Sequence, residues 1–330
     1  MNVALIGYGY WGPNLARNIA DIKDVKFWGI CEASEARIEK AKKIYKGELI
    51  YTADYSEVIN SPEIDAVVIA TQTEPSFKIA MDALEAGKHV FIEKPIASTV
   101  ERTIKIKELA EKKKLIVHCD HIMIFNPIIR YIKKMIDSGE LGDLMYIDVS
   151  RVNLGPIRKD VNAMLDLAVH DLAVIDFLSG GQEFESLTAM GHALFGVQEA
   201  ITYLNIKYPN FIAHIESSWV SPLKERRTMI AGTKKMVIFD DVKINEKLTI
   251  YNHGFNVSES DEYGAYEVET RTGDIFIPNI PYQDSLKNSL VHFINCVKTK
   301  TDSLSGPTHS LRVMKVLEKA LAELRRHVKN

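Results

Sequence analysis

The 330-residue sequence lacks the features that mark several classes of protein. No apolar run approaches the roughly 20 residues that a membrane-spanning helix needs, and the N-terminus shows no basic region followed by a cleavable apolar segment. The three cysteines (Cys31, Cys119 and Cys296) are scattered and fit neither a disulfide framework nor a metal knuckle. A net charge of −3 provides no global field that attracts nucleic acid or an anionic membrane. We therefore expect a cytoplasmic protein without nucleic-acid or membrane partners.

The first 120 residues alternate between strand-like and helix-like segments. Strands are predicted at 2–6, 25–31, 65–70, 88–92 and 115–119, and helices at 12–21, 34–46, 76–86 and 99–113. This alternation predicts a parallel sheet wrapped by crossover helices, an α/β fold. The apolar content of 46% and the charged content of 26% are those of a globular protein, and the length favours two domains.

A glycine-rich turn follows the first predicted strand and opens the first predicted helix. Gly7, Gly9 and Gly12 are spaced as G-x-G-x-x-G, the pattern that binds a dinucleotide pyrophosphate at a helix N-terminus. The acidic residue expected about 20 positions further on is Glu32, directly after the second predicted strand. This context favours a dinucleotide site over an ordinary glycine-rich turn.

Ligands of such sheets bind at the carboxyl ends of the strands, which draws attention to Thr71 and to Glu93-Lys94-Pro95. Pro95 biases Lys94 toward an extended conformation at this edge. Lys94 is a candidate to polarise a substrate oxygen. Its position alone leaves a surface salt bridge with Glu93 equally open.

The second half of the chain has a different character. Helices are predicted at 127–137, 165–178, 284–299 and 308–328, and strands at 144–153, 184–192, 198–207, 211–220, 225–232 and 234–240. The strands with short turns between them predict an open, mostly antiparallel sheet. Residues 252–283 are polar and predict a long loop with room for one strand. A broad sheet with one uncovered face favours a homodimer or homotetramer.

Asp166 and His170 are four residues apart in the predicted helix 165–178, so they share a face. Buried histidines need a partner, and the acid one turn earlier favours a functional pair over a core histidine bonded to a carbonyl.

Two further clusters carry weaker signals. His118 and Asp120 face the opposite side of a strand from His121, so we expect no metal site there. The basic stretch at 224–227, with Lys224 and Arg227, is equally compatible with an anionic ligand and with a solvated strand edge.

These motifs together resemble the glucose–fructose oxidoreductase, inositol dehydrogenase and MocA family. The resemblance rests on Gly7–Asn14, on Glu93-Lys94-Pro95 and on Asp166–Asp171, and it covers nearly the whole chain. It implies a Rossmann domain over 1–121 and an α/β domain for substrate binding and oligomerisation over 122–330. It also implies that Lys94 contacts the reacting hydroxyl, with His170 as general acid/base and Asp166 beside it.

The resemblance further implies a set of cofactor contacts for NAD: Gly7, Gly9, Tyr10, Trp11, Gly12, Glu32, Ala70, Thr71, Thr73, Glu93 and Lys94. Glu32 would bond the adenosine ribose and repel a 2′-phosphate, although Arg37, one helical turn away, leaves room for some use of NADP. Glu32 stands where Asp is commoner in the family, and Ser76 where many members carry a histidine.

Within the family, the chain looks most like the UDP-N-acetylhexosamine (or hexosaminuronate) 3-dehydrogenases. A sugar diphosphate needs cations, and the expected substrate contacts are Arg151, Asn153, Arg158, Lys224 and Arg227. The expected function is hydride transfer between a ring hydroxyl, at C3, of a UDP-sugar and NAD. An inositol, free-sugar or polyol dehydrogenase is the alternative, and a non-catalytic NAD-binding regulator is a more distant one.

Overall fold

The computed structural model describes residues 1–47, 49–159, 161–194, 198–259 and 266–327. The chain divides into two compact units. The first contains residues 1–126 and 283–315, and the second contains residues 127–282 and 316–330. The division differs from the expected boundary after residue 121 in two respects, because the first segment extends to residue 126 and residues 283–315 return to the first unit.

The first unit is built on a six-stranded parallel sheet with the order β3-β2-β1-β4-β5-β6. Its strands are β1 (Asn2–Ile6), β2 (Lys26–Cys31), β3 (Ile50–Thr52), β4 (Ala66–Ile69), β5 (His89–Ile92) and β6 (Val117–Cys119). Its helices are α1 (Gly12–Ala20), α2 (Glu35–Ile44), α3 (Tyr55–Asn60), α4 (Thr73–Glu85), α5 (Val100–Lys113) and α8 (Ser285–Thr299), with a short 3₁₀ segment at Ile122–Phe125. This strand order is the doubly wound Rossmann order.

The central strands of this sheet are apolar because helices cover both faces of a parallel sheet. All four residues of β4 are fully buried. The sequence missed β3, a three-residue edge strand whose Ile50 is 44% exposed and which therefore lacks the buried apolar run of its neighbours. It also missed the short helix α3.

The second unit contains an eight-stranded sheet with the order β16-β13-β12-β11-β7-β10-β9-β8. Its strands are β7 (Leu144–Leu154), β8 (Ser186–Ala193), β9 (Glu199–Lys207), β10 (Ile212–Ser218), β11 (Val220–Gly232), β12 (Met236–Asp240), β13 (Leu248–Tyr251) and β16 (Ile275–Phe276). Only the β7–β10 pairing is parallel among those described, so the sheet is mostly antiparallel, as expected. The strands β14 (Gly254–Glu259) and β15 (Tyr266–Arg271) form a separate pair where the sequence predicted a long loop with one strand.

The helices of the second unit are α6 (Pro127–Asp137) and α7 (Val169–Leu178), and the last helix, α9 (Pro307–His327), contains the boundary between the units. The predicted end of α9 at residue 328 lies outside the described residues. The predicted α-helix over 165–178 begins instead with a π-helical turn at Met164–Ala168. In the part of the chain that the structure describes, no helix combines the length and apolarity needed to cross a bilayer.

Candidate functional site

Five residues that each directly follow a parallel strand lie side by side along one edge of the first unit's sheet. In sheet order they are Glu32, Gly7, Ala70, Glu93 and Asp120. Each donates its backbone N–H to the carbonyl oxygen of the residue that ends a neighbouring strand, with N···O distances of 2.8–3.0 Å. The carboxyl ends of the strands are therefore in register, which places all five side-chain positions on the edge where such sheets bind ligands.

The glycine turn is shaped by close backbone contacts. Gly7 has φ = +100°, and a Cβ added there would lie 2.5 Å from the carbonyl oxygen of Ala70. A Cβ at Gly12 would lie 2.5 Å from the carbonyl oxygen of Gly7. Gly9 differs, because a Cβ added there would have just one neighbour within 4 Å among the described residues, Nη1 of Arg37 at 3.8 Å. The turn thus packs tightly against the sheet and leaves open space above Gly9, which fits a pyrophosphate.

Glu32 is held against this turn by backbone donors. Its carboxylate accepts hydrogen bonds from the backbone N–H groups of Tyr8 at 2.7 Å and Ser34 at 3.0 Å, and Arg37 lies 3.4 Å from Oε1. A carboxylate offers about four acceptor positions, so further hydrogen bonds from a ribose diol can be accommodated. The structure therefore places Glu32 where the sequence predicts an NAD-selective acid.

The other predicted cofactor residues lie around the same edge. Trp11 immediately precedes α1, and Tyr10 beside it is 95% exposed. The Thr71 hydroxyl hydrogen-bonds the hydroxyl of Ser76 at 2.8 Å, and Thr73 begins α4. Ser76, which replaces the histidine of many family members, is thus a local partner of Thr71.

Lys94 follows Glu93 at the end of β5, on the ligand-binding edge. The Glu93 carboxyl lies beside the Asp120 carboxyl, and its Oε1 is shielded from solvent without a hydrogen-bond partner among the described residues. Burial, and then the charge of Asp120, raise the pKa of Glu93 well above its ordinary value. The role of Lys94 at this edge stays a prediction.

The predicted catalytic residues of the second unit lie on the π turn and the start of α7. Asp166 lies within the π turn, and the half-buried His170 is the second residue of α7. The Asp166 carboxylate accepts hydrogen bonds from Arg158 at 3.1 Å and from the Trp219 indole at 3.3 Å. The wider π turn changes side-chain directions from those of a regular helix, and such turns are frequent at functional sites.

Arg151, predicted to bind substrate, is committed to a buried ion pair. Its Nε and Nη2 donate to the two carboxylate oxygens of Asp171 at 2.7 and 2.6 Å. Arg151 is 9% exposed and Asp171 is 2% exposed. This bidentate pair joins β7 to α7 and compensates the charge of Arg151, whose contact with a substrate stays a prediction.

Arg227, another predicted substrate contact, lies on a different face of the sheet from Arg151. On neighbouring strands Arg227 pairs in register with Ser150, whereas Arg226 pairs with Arg151. Because successive residues of a strand point to opposite faces, Arg227 projects to the face opposite Arg151. Arg227 lies 2.9 Å from Glu225, and Lys224 is exposed. Asn153 is half-buried near the end of β7.

Asp120 is a neighbour of the site that the sequence did not reveal, although a signal existed, because it directly follows the predicted strand 115–119 just as Glu93 follows 88–92. The pairings of Asp171 with Arg151 and of Trp219 with Asp166 have no local signal, since the partners are 20 and 53 positions apart. Within the described ranges, no group of three or more His, Cys, Asp or Glu side chains is arranged to hold a metal ion.

Comparisons with known proteins agree with this geometry. A profile of an oxidoreductase family with an NAD-binding Rossmann fold matches residues 1–121, and the GFO/IDH/MocA C-terminal domain matches residues 129–238.

Among curated relatives, an uncharacterized oxidoreductase, YrbE, of Bacillus subtilis is 23% identical over 91% of this chain and 87% of its own length. The NAD⁺-dependent scyllo-inositol 2-dehydrogenase of the same organism is 26% identical over 73% and 74%. Among solved structures, UDP-N-acetylglucosamine 3-dehydrogenase GnnA from Acidithiobacillus ferrooxidans has the same fold, with a TM-score of 0.84, 20% identity and coverage of 100% and 99%.

Proposed function

Since the chain belongs to the GFO/IDH/MocA family of oxidoreductases and carries an NAD-binding Rossmann domain, we propose that it oxidises a ring hydroxyl, at C3, of a nucleotide-activated sugar such as UDP-N-acetylglucosamine or its uronate. The observation that carries the dehydrogenase assignment is the register of Glu32, Gly7 and Glu93 along one sheet edge, with Lys94 directly after them.

NAD, when bound, supplies the nicotinamide ring that accepts a hydride from the carbon bearing the hydroxyl. In the proposed mechanism His170 takes the hydroxyl proton as general base, and the Lys94 ammonium stabilises the negative charge that develops on oxygen. Asp166, held by Arg158 and Trp219, positions the polar groups at the start of α7. Each general acid–base contribution is worth about 10²–10⁴-fold in rate.

Arg158 and Lys224 are the cations that best suit a substrate diphosphate. The Arg158 side chain is 43% exposed and lies beside Asp166, so an anionic ligand can reach it without breaking a buried pair. Lys224 is exposed on β11. Removing either cation is expected to raise KM for a UDP-sugar and to leave KM for NAD⁺ unchanged.

The catalytic assignment is tested with Lys94→Ala and His170→Ala, each compared with a matched surface variant. Lys105→Ala, on the exposed side of α5, and His192→Ala, on an exposed part of β8, are the controls. We expect NADH formation to fall about 10²–10⁴-fold in the first two, with NAD⁺ affinity and circular dichroism retained, and no change in the controls. Full turnover by either active-site variant would refute the assigned roles.

The substrate assignment is tested by measuring NADH formation across a panel of UDP-sugars, free sugars and inositols. The likeness to scyllo-inositol 2-dehydrogenase makes an inositol or polyol the second candidate. Turnover of free polyols with none of UDP-sugars would select that candidate. NAD binding without turnover of any panel member would favour a regulatory protein instead.

We also propose that the protein is a cytoplasmic homodimer or homotetramer. Met190, Tyr203 and Ile212 are 67%, 41% and 60% exposed, and their strand register puts them on one face of the eight-stranded sheet. Exposed apolar side chains on one face of a sheet favour self-association. Light scattering coupled to size-exclusion chromatography tests it, and a monomer at micromolar concentration would contradict the proposal.

A further inference from the structure

Glu93 and Asp120 form a contact between two carboxyl groups that the proposed mechanism does not use. They follow the adjacent strands β5 and β6, and the backbone N–H of Asp120 donates to the carbonyl of Ile92, the residue before Glu93, at 2.8 Å. Glu93 Oε1 and Asp120 Oδ2 are shielded from solvent and have no hydrogen-bond partner among the described residues. Because ionised carboxylates only accept hydrogen bonds and repel each other, two neighbouring buried carboxyl groups of this kind favour holding a proton between them.

A chain of hydrogen bonds fixes the orientation of Asp120. The Ser289 hydroxyl, on α8, donates to Asp120 Oδ1 at 2.7 Å. Since that hydroxyl has a single hydrogen, its 2.9 Å bond to His118 must be donated by Nε2, and Ser303 then donates to Nδ1 at 2.8 Å. Burial lowers the pKa of His118 well below its usual range, which keeps this imidazole neutral. The other oxygen of Asp120, Oδ2, is buried without a hydrogen-bond partner among the described residues.

The charges around the pair are few. Lys94 lies on the Glu93 side and favours the ionised form of that carboxyl, while the Trp11 indole favours the ionised form of Asp120. Asp284, preceding α8, opposes ionisation of Asp120. Among the described residues, Lys94, Cys119 and Asp284 interact electrostatically with the pair. His118 connects to Asp120 through Ser289, and His121 and His309 lie near His118.

The position of the pair along the sheet edge matches one end of a dinucleotide. Three strand spacings, about 14 Å, separate the strand of Glu32 from that of Glu93. A dinucleotide with its adenosine ribose at Glu32 and its pyrophosphate above Gly9 would extend past Ala70 toward Glu93 and Asp120. Its nicotinamide end would then be the part of the cofactor nearest to the carboxyl pair.

We propose that Glu93 and Asp120 are a proton-sharing pair that responds to the charge of the nicotinamide, releasing a proton when NAD⁺ binds and retaining it when NADH binds. The inference rests on the cofactor half of the proposed function and is independent of the substrate.

The physical reason is the difference in charge between the two cofactor forms. The ring of NAD⁺ carries a positive charge, which favours ionisation of nearby carboxyls, and the ring of NADH carries none. Burial raises the pKa of Asp120 to about 7, so the pair exchanges a proton near neutral pH. Oxidation of R₂CH–OH by NAD⁺ gives R₂C=O, NADH and one proton. As the hydride neutralises the ring, the pair regains affinity for a proton and takes one up from solvent.

The test is isothermal titration at pH 7 in two buffers that differ in ionisation enthalpy, which counts the protons released per ligand bound. NAD⁺, NADH and ADP-ribose are titrated into the wild type, Glu93→Gln and Glu101→Gln. Glutamine at position 93 donates its amide to Asp120 without a titrating proton. Glu101→Gln is a matched acid-to-amide change at an exposed position of α5.

We expect a release of up to one proton with NAD⁺ and close to none with NADH or ADP-ribose, in the wild type and Glu101→Gln. The release with NAD⁺ should disappear in Glu93→Gln. Equal proton counts for NAD⁺ and NADH in the wild type would overturn the inference even if no variant folds. NAD⁺ release that persists in a folded Glu93→Gln would also overturn it. Absence of NAD⁺ binding heat, and of binding by fluorescence quenching, would refute the cofactor assignment itself.

Discussion

The two units bury carboxyl groups by opposite means. In the first unit Glu93 and Asp120 lie together on a sheet edge and share a proton, with raised pKa values. In the second unit Asp171 is equally buried but forms a bidentate pair with Arg151 at 2.6 and 2.7 Å. The first arrangement keeps a group whose pKa is raised to about 7, whereas the second sets each buried charge against an opposite one.

This difference separates residues that can take part in chemistry from residues that hold the fold. Removing one partner of a buried acid–arginine pair leaves an uncompensated buried charge, which strongly destabilises the fold. A buried acid paired with another acid responds to each nearby charge. The same contrast applies to arginines, because Arg151 is buried in its pair whereas the Arg37 side chain is 53% exposed beside Glu32.

The largest expected effect comes from breaking the buried ion pair. Asp171→Asn leaves the Arg151 charge buried without a counterion, which should lower the free energy of unfolding by about 3–5 kcal/mol in urea titrations. Glu185→Gln, in the exposed pair with Lys207, should cost less than about 1 kcal/mol. Replacing both buried partners by apolar residues should recover most of the loss. Similar, small costs for Asp171→Asn and Glu185→Gln would remove the distinction drawn between the two kinds of pair.

The pH dependence of stability separates the carboxyl pair from the ion pair. The pKa of Asp120 is raised from 3.8 to about 7 in the folded protein, so between these values the folded state binds more protons than the unfolded state. Its contribution to stability is full below pH 4 and is lost as pH rises to 7, by up to about 1.4 kcal/mol per pH unit for one proton. Asp120→Asn should flatten the unfolding free energy over this range. An unchanged slope in this variant would contradict proton sharing.

A smaller effect tests the backbone geometry of the cofactor edge. Gly7→Ala strains a positive φ and places a Cβ against the Ala70 carbonyl, so we expect a loss of about 1–3 kcal/mol in unfolding free energy and weaker NAD⁺ binding. Gly87→Ala has φ = +79° but no neighbour within 4 Å. It should show the strain alone, with NAD⁺ affinity retained. If both variants bind NAD⁺ normally, the close contact is not required by the site.

The smallest effect concerns the exposed arginine. We expect the wild type to prefer NAD⁺ over NADP⁺ by at least about tenfold in kcat/KM, because Glu32 repels a 2′-phosphate. Arg37→Ala should strengthen this preference a few-fold, since the guanidinium 3.4 Å from Glu32 offsets that repulsion. Stability should change by less than about 1 kcal/mol. A preference for NADP⁺ in the wild type would refute the role given to Glu32.

The first unit was largely predictable because its chemistry follows strand ends. Gly7, Glu32 and Glu93 were each identified from the apolar run that precedes them, and the register confirms that they lie in line. Asp120 also directly follows an apolar run, the predicted strand 115–119, so the same pattern applies to it. The short edge strand β3 was missed because exposure removes the apolar pattern.

The second unit was less predictable because its contacts join residues that are distant in sequence. The pairing of Arg151 with Asp171 depends on how β7 and α7 pack, and the opposite orientation of Arg227 depends on strand register. The helix of Asp166 and His170 was located correctly, but its opening π turn was not, because no sequence periodicity distinguishes one extra residue in a turn.

The sequence by itself determined the Rossmann-type fold, the glycine turn and the family, since these depend on local patterns of apolar runs, glycines and strand-end residues. Only the tertiary structure decided which charged groups are free to act. In the tertiary structure Arg151 forms a buried ion pair with Asp171, and Asp120 lies beside Glu93. The physical reason is that a pKa and an ion pair depend on burial and on partners, which a linear sequence does not specify.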